Sequence, residues 1–160
     1  MDSDENDDQI ITIVQGLLTK AGDDLSSEPY DARYIRDIQG ELRELALQAI
    51  DERIIFLLFF IPIFVDDIYY NLVGDIVGVS SEILEISRQE IFSFLGKSLK
   101  EMAVKLSLGD FDNLNQIYTK LVSFYIFKVN KLNSISIQKR NSSLEDWEKK
   151  KADSDQQSVK

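Results

Sequence analysis

An all-α fold, an antiparallel bundle of about five helices, is what this sequence predicts, on three observations. Apolar residues recur every three or four positions in five successive segments, the spacing that lines one face of a helix. Only two prolines and seven glycines interrupt 160 residues, too few for a turn-rich β architecture. Alternation of apolar and polar residues is confined to one short stretch, 134–138, and a single strand makes no sheet.

The first segment, residues 9–21, carries Ile10, Ile13, Val14, Leu17 and Leu18 on one stripe and is expected to stop at Gly22. In the second, Ser27 is the expected N-cap and Glu28 and Pro29 form the first turn. Ile35, Ile38, Leu42, Leu45 and Ala49 follow as a seam at alternating three- and four-residue steps. Residues 54–65 read IIFLLFFIPIFV, twelve apolar residues including Pro62, which is expected to kink or end the helix. Val65, Ile68, Leu72 and Ile76 prolong the stripe to the stops Gly74 and Gly78. Ser80 or Ser81 then caps a long helix whose seam includes Leu84, Ile91, Leu95, Leu99, Met102 and Leu106, with Gly109 as its end. Asp110 or Asp112 restarts the chain into a last long helix through Leu114, Leu121, Tyr125 and Leu132. Ile135 and Ile137 suggest one edge strand, and Ser142 with Glu145 forms a capping-box pattern for a short helix holding the single Trp, Trp147. The organisation expected is therefore a disordered acidic leader (1–8), a helical domain (9–134), a short strand or linker with an amphipathic helix (135–151) and a disordered tail (152–160).

Composition narrows the chemistry by subtraction. There is no Cys and no His, so thiolate or imidazole zinc sites, disulfides and every catalytic scheme built on those groups are excluded. The net charge is -10, and residues 1–28 hold eight carboxylates against Lys20 alone. Such a leader lacks the basic start of a secretory signal, which points to a cytoplasmic protein. A chain this acidic is not expected to bind nucleic acid directly, since phosphate neutralisation needs a basic stripe. The apolar run of 54–65 falls short of the roughly 20 residues that span a bilayer, and acids flank it on both sides. It is expected to be covered by protein, as core or as a partner surface, with no transmembrane segment.

Three side-chain groupings are candidates for function. Gly96, Lys97 and Ser98 repeat the end of a phosphate-binding loop, but Ile91 stands where the motif needs its first glycine. A close helix contact is the better account of Gly96. Glu41 and Glu44 form an E-x-x-E helix that, with Asp67 and Asp75, is an alternative Mg²⁺ set of the kind used by all-α nucleotide pyrophosphohydrolases. Leu72 occupies the position where such enzymes place a further carboxylate, so no catalytic residue, metal or cofactor is assigned. The third grouping is apolar: Phe56, Phe59, Phe60 and Phe64 in the central run, with Leu144 and Trp147 one turn apart near the C-terminus, are the expected partner-binding residues.

Residues 82–113, EILEISRQEIFSFLGKSLKEMAVKLSLGDFDN, resemble the long helix, glycine-containing stop and next helix start of the helical domain in GINS-type DNA replication subunits. That resemblance implies a non-catalytic scaffold interlocked with sibling subunits, and a small β domain for which residues 134–138 are the one source. The function expected is a non-enzymatic interaction or scaffold subunit of an intracellular complex, homo- or hetero-oligomeric. The alternatives are the Mg²⁺-dependent pyrophosphohydrolase and a membrane-surface helical protein.

Overall fold

The structure, a computed structural model, describes residues 2–27, 30–72 and 74–158. They form α1 (Asp2–Ser26), α2 (Arg33–Asp37), α3 (Gln39–Gln48), α4 (Glu52–Leu72), α5 (Ser81–Ser107) and α6 (Phe111–Ser158), with no strand among them. The expected all-α bundle is what the chain builds. α1 lies antiparallel along α5, α5 and α6 form one hairpin, α3 and α4 form another, and α4 runs beside the first part of α6.

The stripes read from the sequence are the buried faces. Ile10, Val14, Leu18, Ala21 and Leu25 from α1 meet Leu95, Leu99, Met102 and Leu106 from α5 in one continuous apolar core, which also takes in Ile35, Leu42 and the inner face of α4. α1 passes through Gly22 because that residue stands at a helix crossing and is not a stop. A Cβ there would lie 2.6 Å from the Gly96 carbonyl oxygen and against Lys100, and a Cβ on Gly96 would lie 2.7 Å from the Gly22 carbonyl oxygen. Each glycine leaves space that the other backbone fills. Asp23 and Lys100 close the crossing with a 2.9 Å ion pair.

Helix ends follow local chemistry. Ser80 has an extended backbone and its hydroxyl accepts from the Ile83 amide at 3.2 Å, as an N-cap does. Asp110 accepts from the Asn113 amide and side chain, which holds its carboxyl below the usual range. Gly74, Gly78 and Gly109 take positive φ of 89°, 82° and 68°, where side chains with a Cβ are strained. Arg88 of α5 donates to the Leu72 and Gly74 carbonyls, giving the end of α4 the partners it would otherwise lack.

Several expectations are corrected. The acidic leader is the first part of α1, because Asn6 donates to the Gln48 carbonyl and the Asp7 carboxylate accepts from the Ile50 and Asp51 amides, each at 2.9 Å. Those bonds tie the leader to the corner between α3 and α4. The second segment is two helices, parted at Ile38; Ser27 precedes them as a bend, and the expected first turn at Glu28 and Pro29 lies outside the described residues. α4 continues through Pro62, whose ring is buried; the lost amide costs one intrahelical bond, and packing on both sides holds the helix together. Residues 134–138 belong to α6, with Ser136 buried and its hydroxyl donating to the Val77 carbonyl at 2.5 Å. Ile135 and Ile137 lie on opposite sides of that helix, so their alternation needs no strand. Ser142 and Glu145 start nothing, and the helix runs on across the expected tail to Ser158.

The glycine crossing predicts opposite effects for two similar substitutions. Gly96→Ala is expected to force α1 and α5 apart and cost about 1–3 kcal/mol. Gly16→Ala, exposed and with nothing within 4 Å of its new Cβ, is expected to add about 0.5–1 kcal/mol. Denaturant melts of the two variants check both signs.

Candidate functional site

α4 is apolar on nearly every side, and the bundle leaves one of them open. Ile54, Leu57, Leu58, Ile61, Val65 and Ile68 face the core. A second face packs on α6 through rings. Phe60 meets Tyr118 edge-on at 4.3 Å and Phe64 at 5.3 Å, Phe64 meets Tyr125 edge-on at 5.2 Å, and Phe56 meets Tyr118 edge-on at 5.9 Å. Such pairs contribute about 0.5–1.5 kcal/mol each beyond their area. Contacts advance together along the two helices, 60 with 118 and 64 with 125, so α4 and α6 run parallel here.

The third face is uncovered. Phe56 is 54%, Phe59 38%, Ile63 65% and Tyr70 87% exposed. With Glu52 and Asp66, both also exposed, they form one stripe at steps of four, three, four, three and four residues, the spacing of a helix-pairing seam. At its N-terminal end opens a cleft of about 470 Å³ lined by Glu52, Arg53, Phe56, Phe111 and Tyr118 among others. Arg53 stacks its guanidinium on Phe111 at 3.8 Å and bonds Asp51, holding that carboxyl below its usual range.

Of the residues singled out from the sequence, Phe56 and Phe59 are exposed, Phe60 is half-buried and Phe64 is buried against Tyr125. Phe64 is therefore structural. Leu144 and Trp147 project from α6 well past its last contact with the body, Trp147 58% exposed with the Lys151 ammonium 5.2 Å from its ring centre. Ile63 and Tyr70 belong to the exposed stripe and were missed. A twelve-residue apolar run hides which of its faces stays open, though their spacing to Phe59 was available as a signal.

The alternative metal set does not assemble. Glu41 and Glu44 are exposed on α3, where Arg43 between them pairs with Asp66 at 3.2 Å. Asp67 accepts from the Tyr125 hydroxyl at 2.9 Å, while Asn71 donates to that same hydroxyl. Asp75 lies beyond the end of α4. Among the described residues no three carboxylates, His or Cys converge on a metal position.

A second cleft, about 370 Å³, lies between Tyr30, Arg33, Tyr69 and Arg88. Its charges are already engaged: Tyr30 donates to Glu85, Arg88 caps α4, and Arg33 holds the Asp31 carboxyl down to about 2. α4 is also the one helix among the described residues long and apolar enough to cross a membrane by length and composition, and fewer than half of the residues in its most apolar stretch are buried. Counting only residues 54–65 missed this, because the helix extends to 21 residues. No protein-family model, curated protein or solved structure matches the chain.

The Tyr125 phenol is held neutral, first by burial and then by its bond to the Asp67 carboxylate, so its pKa rises above the ordinary 10.0. A raised folded pKa means stability that is present below pH 10 and lost as pH climbs beyond it. Phenolate absorbance is expected to show a late-titrating tyrosine, at the pH where helicity falls. Tyr125→Phe is expected to remove that late step and to cost about 1 kcal/mol at neutral pH.

Proposed function

We propose that this chain is a non-enzymatic, all-α subunit of an intracellular, cytoplasmic complex, and that it works by protein contact. The observation that carries the reading is the uncovered α4 stripe: four large apolar side chains at helix-pairing spacing, on a helix whose other faces are already packed. Exposed apolar patches of this kind mark contact surfaces, and aromatic residues dominate the energy of such contacts. The acids within the stripe, Glu52 and Asp66, suit a protein partner with basic side chains better than they suit an anionic lipid surface.

The GINS-like stretch is consistent with a scaffold role. Its long helix, glycine stop and restart correspond to α5, Gly109 and the start of α6, whereas the implied β element at 134–138 is helical. A place in DNA replication rests on that resemblance alone. Nothing in the arrangement of Glu41, Glu44, Asp67 and Asp75 favours the hydrolase.

Affinity capture from the native source, with the wild-type chain and with a Phe59→Asp/Ile63→Asp variant, tests the proposal. Both substitutions are at exposed positions, so the helical circular dichroism is expected to be unchanged. Loss of at least one defined protein in the variant is the expected result. An unchanged set of captured proteins, or transfer of the wild-type chain alone to phosphatidylcholine–phosphatidylglycerol vesicles, would overturn it.

A further inference from the structure

The last part of α6 runs on past the body of the bundle. Ser136 is the last buried residue, and Lys139 still packs over Gly78; from Ile137 to Asp155 every residue is exposed. This overhang nonetheless carries a seam. Ile137, Arg140, Leu144, Trp147 and Lys151 follow one another at steps of three, four, three and four residues, which places them on one face. The spacing is that of the open α4 stripe, Glu52, Phe56, Phe59, Ile63, Asp66 and Tyr70.

We propose that the open α4 stripe is covered by the α6 overhang of a second copy of this chain, in a two-fold dimer with two equivalent contacts. The inference rests on the protein-contact reading and names the partner. Three features select a second copy. The first is charge: the overhang stripe has basic residues inside and after its apolar part, Arg140 and Lys151, whereas the α4 stripe starts at Glu52 and carries Asp66, which also pairs with Arg43, between Ile63 and Tyr70. Antiparallel docking sets Leu144 on Phe59, Trp147 on Phe56 at the mouth of the 470 Å³ cleft, Lys151 beside Glu52, Ile137 at Asp66, and Arg140 at Ile63, within one turn of Asp66. Parallel docking sets Trp147 on Asp66 and leaves Lys151 against Tyr70.

The second feature is closure. Within one chain α4 and α6 are parallel, so an overhang antiparallel to the partner's α4 is also antiparallel to the partner's α6. A two-fold axis perpendicular to α6 produces that relation and generates both contacts at once. The levels agree as well. Phe60 stands beside Tyr118, so docking Leu144 near that level puts the axis midway along α6, near residue 131, and Lys151 of each overhang then falls at the level of the other chain's Glu52. The third feature is reach: α6 is one continuous helix to Ser158, and the overhang cannot return to α4 of its own chain without breaking it.

The full chain is the material for the test. Light scattering after size exclusion, from low to high micromolar, is expected to give a mass moving from one chain to two. The emission of Trp147, the single tryptophan, is expected to shift to shorter wavelength over the same range. Lys151→Glu and Glu52→Lys are each expected to weaken association about tenfold, and the double variant to recover most of the loss. Lys151 lies beyond the body, so its substitution leaves the fold intact. A one-chain mass at every concentration overturns the proposal, as does a dimer indifferent to Lys151→Glu and Phe59→Asp. If the chain stays single while Phe59→Asp still removes a captured protein, the dimer fails and the protein-contact reading stands.

Discussion

Two missing side chains set the frame of this molecule. At Gly22 and Gly96 the backbones of α1 and α5 come so close that each carbonyl oxygen lies only 2.6–2.7 Å from where the other residue would carry a Cβ. That approach fixes the register of the two helices and lets Val14, Leu18 and Leu25 reach the α5 seam directly. The rest of the bundle is arranged around this pair: α6 lies along α5, and α4 fills the space beside α6.

α4 is where the apolar content exceeds what the chain itself covers. Its core face and its ring-lined face are satisfied by α3 and α6, and polar groups on these faces are satisfied too, since no buried side-chain nitrogen or oxygen among the described residues lacks a hydrogen-bond partner. Tyr125 shows how closely the two helices are joined, its hydroxyl set between Asp67 and Asn71 of α4. Against that background the open row from Phe56 to Tyr70 is not a packing defect. The side chains there are large and evenly spaced, with Glu52 before them and Asp66 between Ile63 and Tyr70, the pattern on which the protein-contact proposal rests.

The parts of this fold legible in sequence were those set by local rules. Helical stripes, a serine cap at 80 or 81, an aspartate restart at 110 or 112 and the breaks at Gly74, Gly78 and Gly109 depend on a few neighbouring residues, and the structure has the cap at Ser80, the restart at Asp110 and positive φ at those three glycines. What was not legible depends on residues far apart. Gly22 has the composition of a stop but the environment of a crossing, which only Gly96, 74 positions later, reveals. The leader looks unfoldable until Asp7 meets the amides of Ile50 and Asp51. Five residues cannot separate a strand from a helix by alternation, hence the misread segment at 134–138. For the candidate surface, the sequence grouped Phe56, Phe59, Phe60, Phe64, Leu144 and Trp147 as partner-binding residues; Phe56, Phe59, Leu144 and Trp147 are exposed, Phe64 is buried, and the exposed Ile63 and Tyr70 were passed over. In a run apolar at all twelve positions, the choice of inner and outer face is made by the partners α3 and α6.

The continuity of α6 has an energetic consequence. Starting a helix from coil is unfavourable by a factor of roughly 10⁻³, or about 4 kcal/mol, whereas adding a residue to an existing one is nearly free. Residues beyond Ser136 never face the first cost, because the turns packed on α5 act as their nucleus. The projecting arm is thus helical by propagation alone, and whatever binds its exposed row meets a shape already formed.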